Sequence, residues 1–164
     1  MAFVIKDAII GMQQIADTST VQNHPLGFRV KAVDPTFGEG EFIYLKGVGS
    51  TVVGSVVTFY ESDWTTALLA ANAIGQVAVA MSANDAATDY GWYQICGKAI
   101  AKCVASVADN GLVYACSTAG SIDDNATSGD RVKQAITASA TDTPSTGKCY
   151  LEIQYPFMDD GSAA

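Results

Sequence analysis

From Gly91 onward apolar and polar positions alternate along the chain. Tyr93, Ile95, Ala99, Ala101 and Cys103 share one parity, while Trp92, Gln94, Cys96, Lys98 and Lys102 share the other. Successive side chains of a strand point to opposite faces, so this stretch predicts a long strand with one small apolar face and one mixed polar face. Ile100, Cys103, Val104, Val107 and Ala108 also fit a helical stripe. Gly97, the β-branched content and the missing N-cap favour the strand. Asp109-Asn110-Gly111 predicts a turn, because Asn and Gly accept positive φ. Leu112-Val113-Tyr114 resumes strand composition, and a turn carrying Asp123 and Asp124 follows.

The same period marks the flanking segments. Over residues 28–33, Phe28, Val30 and Ala32 oppose Arg29, Lys31 and Val33. Residues 34–40 predict a loop with Pro35 well placed for a turn. Over 41–48, Phe42, Tyr44 and Lys46 oppose Ile43, Leu45 and Gly47. Gly47, Gly49 and Gly54 match no phosphate-binding loop and read as bulge or close-approach glycines. Residues 51–60 form a β-branched run broken at Gly54-Ser55. Residues 61–74 fit either a helix capped by Ser62 or a strand to Ala70 with a turn at 72–75, and the second is preferred. Strands are further expected over 77–81, 131–138 and 148–155. Pro156 is expected to end the last, leaving residues 158–164 as an acidic mobile tail.

Residues 1–24 show no sustained period. Ile5, Ile9, Met12 and Ile15 could mark a helix face, but Gly11 interrupts it. Phe3, Ile5, Ile9 and Met12 need covering, which predicts an extended arm docked on a partner or on its own domain and dispensable for folding. The layout expected is an arm over 1–24, a single β-domain over 25–158 and a tail over 159–164. His24, the only histidine, precedes Pro25 and reads as an exposed loop residue.

Composition narrows the class. Charged residues are 16% of the 164 and glycines number 15, which suits short strands and many turns better than a helical bundle. The fold expected is all-β: a compact antiparallel barrel or sandwich, jelly-roll or β-tulip-like. The net charge is −8, and the nine Lys and Arg never cluster along the sequence. A phosphate backbone needs a basic patch, so nucleic acid is not an expected partner. No run of about 18 apolar residues predicts a membrane helix, and no leader is evident.

Candidate chemistry is sparse. The four cysteines, Cys96, Cys103, Cys116 and Cys149, contain no CxxC pair, so free buried thiols are expected ahead of zinc or a disulfide. Asp123, Asn125 and Thr127 lack the glycine position and terminal Glu of a calcium loop. Asp123 with Asp124, and Glu39 with Glu41, are carboxylate pairs of the kind glycoside hydrolysis uses. Both read as solvated turn or loop residues. No catalytic, cofactor or metal site is expected.

Three strings, GWYQICGKAIAKC, ADNGLVYACSTAGSIDD and GEGEFIYLKGVGSTVVGSVVTFY, together resemble capsid decoration (cement) proteins of tailed bacteriophages, with the likeness running from Leu26 to Phe157. The resemblance implies a non-enzymatic virion protein, made in the host cytoplasm and seated on the outside of the head. Its implied partners are the major capsid protein and itself, as a homotrimer. Candidate contact residues are Phe3, Ile5, Ile9 and Met12 of the arm, with Phe37, Phe42 and Trp64 as aromatic anchors. Alternatives are a tail-tube or fibre component, or a carbohydrate-binding module stacking sugars on Trp64, Trp92 or Tyr93.

Overall fold

The computed structural model describes residues 3–5 and 11–158. Alternation and turn chemistry produce an all-β chain. Its strands are β1 (Val4–Ile5), β2 (Thr18–Ser19), β3 (Arg29–Asp34), β4 (Gly38–Lys46), β5 (Val56–Phe59) and β6 (Thr66–Leu68), followed by β7 (Gln76–Ala80), β8 (Tyr90–Lys102), β9 (Leu112–Ala115), β10 (Ile122–Asp123), β11 (Arg131–Thr137) and β12 (Lys148–Met158). All twelve join one antiparallel sheet, in the order β1-β3-β4-β8-β7-β12-β11-β9-β10. β2 adds to β8, while β5 and β6 branch from β7. The ladder does not close into a barrel. Single parallel bridges, Lys46 to Thr65 and Cys103 to Ile122, tie distant parts of it together.

β8 is the hub, because it pairs with β2, β4, β7 and β12. Its first half has two buried faces. Tyr93 and Ile95 pack with Ile43, Leu45, Val57, Phe59, Ala78 and Ala80. Trp92, on the other parity, packs with Phe42, Tyr44, Val30, Ala32 and Met81. The mixed polar face expected here is therefore absent: Trp92 and Gln94 are both fully buried. Past Gly97 the strand enters a third core, where Ala99, Ala101 and Cys103 meet Val113, Ile122, Val132, Cys149, Leu151 and Ile153. Each large side chain so buried contributes about 1.5–3 kcal/mol.

Gly97 makes the passage between cores possible. Its φ is +99°, and a Cβ there would lie 2.6 Å from the Glu39 carbonyl oxygen. Glycine alone tolerates both conditions. The buried Gln94 amide spans the bend, with Nε2 donating to the carbonyls of Cys96 and Lys98 at 3.1 Å each.

Two boundaries differ from expectation. β4 starts at Gly38, so Glu39 and Glu41 lie in a strand and not a loop. The loop before it is tightened by Asp34 Oδ1, which accepts the amides of Thr36 and Phe37 at 2.7 and 3.0 Å. β12 runs through Pro156 to the buried Met158. Its register against β11 shifts between Lys133 and Ala135, so Pro156 falls in a bulge, where a missing ladder N–H costs little. Residues 61–74 take the preferred strand-and-turn form, with β6 followed by Asn72 at φ 60°. The tail over 159–164 lies outside the described residues.

Candidate interface surfaces

The arm packs on its own domain. Phe3 is buried edge-on against Phe42, with ring centroids 4.8 Å apart. Ile5 and Met12 are half-buried against the same aromatic core, and Ile9 lies outside the described residues. Gln13 fastens the segment, although no pattern in its aperiodic surroundings marks it. Its carbonyl accepts the indole N–H of Trp92 at 3.0 Å. Its Oε1 accepts both the Tyr44 hydroxyl and the Asn23 amide at 2.9 Å.

The aromatic candidates are also occupied within the molecule. Phe42 is fully buried, since the arm covers the outer side of β4, and so presents no anchor to a partner. Trp64 stacks on Phe59 with centroids 6.4 Å apart and packs against the core that β4 and β5 share. Phe37 is half-buried beside Tyr150, at 5.6 Å between centroids. Trp92 and Tyr93 are fully buried, so neither offers sugars a stacking surface.

His24 is not an exposed loop residue. Its ring lies 5.1 Å from Tyr44 and 5.4 Å from Trp92, between centroids. Its Nε2 accepts the backbone N–H of Gln13 at 3.1 Å. Burial holds its pKa below the ordinary 6.5, because the charged form would lose water.

The carboxylate pairs separate into different jobs. Asp123 Oδ1 accepts the amides of Asp124 and Asn125 at 2.8 and 3.2 Å, and Asp124 Oδ2 accepts the amide of Ala108 at 2.8 Å. Glu41 Oε2 accepts the Tyr155 hydroxyl at 2.8 Å, which raises the tyrosine pKa. Glu39 lines a neighbouring cleft. Among the described residues no three His, Cys, Asp or Glu side chains converge as metal ligands. The four thiols are free.

That cleft, of about 690 Å³, opens where two bulges meet. β11 slips against β9 between Val132 and Ile136, and against β12 between Lys133 and Ala135. Gln134 and Tyr155 carry the strain as positive-φ residues, at 58° and 53°. Phe37, Lys98, Leu112, Arg131, Ile136 and Glu152 are among the walls. Bulges of this kind re-aim side chains at the rims of functional sites.

A second surface is apolar. Tyr60, Ile74 and Phe157 are 49%, 55% and 41% exposed. Ile74 and Tyr60 lie beside Gly75, on which a Cβ would lie 3.2 Å from the Tyr60 ring, while Phe157 comes from the neighbouring β12. The Gly75 carbonyl accepts the N–H of Met158 at 2.9 Å, and Phe157 pairs with Gln76.

The chain matches no protein-family model, no curated protein and no solved structure.

Proposed function

We propose that this protein is a structural component of a virion. It binds the outer surface of a tailed-phage capsid and stabilises it by bridging major capsid protein subunits. The observation that carries the reading is the exposure of three large apolar side chains, Tyr60, Ile74 and Phe157, where β7 meets β12 in an all-β domain. Large apolar side chains on strands or on the short connections between them offer contact area at little entropic cost, and aromatic residues dominate interface energies. The resemblance of the three strand-forming strings to decoration proteins supplies the partner.

The mechanism is mechanical. A homotrimer engages several capsid subunits at once, and many modest contacts sum through multivalency to oppose internal pressure. Since the described arm packs inward, the contact surface lies at Tyr60, Ile74 and Phe157 and not on Phe3 or Phe42.

Sedimentation with tailed-phage heads assembled without a decoration protein tests the proposal. The expected result is saturable binding that raises the temperature at which heads disrupt, with binding lost in a Tyr60→Asp, Phe157→Asp double variant that keeps the wild-type melting curve. A wild-type protein that stays in the supernatant at every concentration would overturn it. Light scattering that finds only monomer would overturn the trimer.

A further inference from the structure

On the outer face of β8 and β12, side chains stand in facing pairs: Lys102 with Lys148, Ile100 with Tyr150, and Lys98 with Glu152. The first pair places two ammonium groups on directly opposed positions, an arrangement that weakens a sheet. One strand further, the guanidinium of Arg131 keeps its Nε buried without an acceptor. Lys98 lies over the Tyr150 ring, 4.5 Å from its centroid. Among the described residues none of these four cations makes an ion pair. Four of the chain's nine basic residues thus gather on one sheet face of a protein with net charge −8. The arrangement is invisible along the sequence, because only strand pairing sets Lys102 against Lys148 and only the fold brings Arg131 to the cleft that Lys98 lines.

We propose that this face docks an acid-rich polypeptide segment of a partner protein. Its carboxylates would lie between Lys102 and Lys148 and at Arg131, and its apolar side chains against Phe37 at the cleft wall and the adjoining Tyr150. Unpaired cations beside half-buried aromatic rings fit such a segment: the opposed lysines gain the counter-charge they lack, and desolvated Arg–carboxylate contacts are bidentate and strong. Duplex nucleic acid fits less well. Glu39 and Glu152 line the same cleft and would meet a continuous row of phosphates, and the remaining surface is acidic. The inference is independent of the capsid reading, since it names a face and a chemistry and no particular particle.

Fluorescence anisotropy with labelled poly-L-glutamate tests it. Wild-type protein should bind saturably and more weakly as salt rises. A Lys102→Glu, Lys148→Glu double variant should bind about tenfold more weakly or worse, while Lys46→Glu, on β4 and outside the cleft, should bind as wild type. Lys148→Glu alone should weaken binding yet melt no lower than wild type, because it replaces a like-charge pair by an opposite one. That variant separates lost docking from lost folding. Absence of saturable binding by the wild type, undiminished binding by the charge-reversed variants, or tighter binding to a duplex DNA oligonucleotide than to polyglutamate would each overturn the proposal.

Discussion

The Nε2 atom of His24 accepts the backbone N–H of Gln13 at 3.1 Å, beside the Tyr44 and Trp92 rings. Only an imidazole unprotonated at Nε2 can accept that bond. Since the folded-state pKa lies below 6.5, the unfolded chain binds a proton more readily. The contribution to stability is therefore complete above 6.5 and is lost as pH falls from 6.5 through the folded value. Melting curves of wild type and His24→Gln should converge as pH drops through that window. A constant gap between them across it would exclude the link.

The Gln13 anchor makes the described part of the arm, residues 3–5 and 11–24, part of the domain. Deleting them should expose Phe42, Tyr44 and Trp92, raise binding of a hydrophobic dye and remove a single cooperative transition. Trp92→Phe, which loses the indole bond to Gln13 and some ring volume, should cost about 1–3 kcal/mol in denaturant unfolding. A truncated chain with an unchanged midpoint would show the segment to be an appendage.

Gly97→Ala should be among the costliest single-methyl additions. Positive φ and a 2.6 Å approach to the Glu39 carbonyl both oppose a Cβ, so the loss should exceed about 1 kcal/mol. Gly38→Ala, also at positive φ but with open space around its Cβ position, should cost less. Equal midpoints for the two would refute the close-packing explanation.

Burial raises the pKa of Cys149, with Cys103 beside it adding to the effect, and burial also raises those of Cys96 and Cys116. Thiolates are the reactive form. An aromatic disulfide reagent at mildly alkaline pH should therefore modify the native protein slowly and all four thiols promptly after denaturation. Fast native-state labelling of Cys103 or Cys149 would contradict the packing described for the third core.

Sequence by itself determined the strand content and the local geometry. Alternation in 28–33 grouped Val30 and Ala32, both buried, on one face, because parity within a strand depends only on residues two apart. Asn110-Gly111 announced its turn through backbone sterics alone, and Asn110 does take positive φ. Tertiary structure decided which second faces are covered. Trp92 reads as half of a polar face until Gln13, 79 residues away in the chain, closes over it. Pro156 reads as a strand end until a bulge makes room for it. The pairing of Lys102 with Lys148 is likewise a fact of register. Burial of a strand's second face, and the company its charges keep, depend on segments far apart in the chain, and no local pattern carries that information.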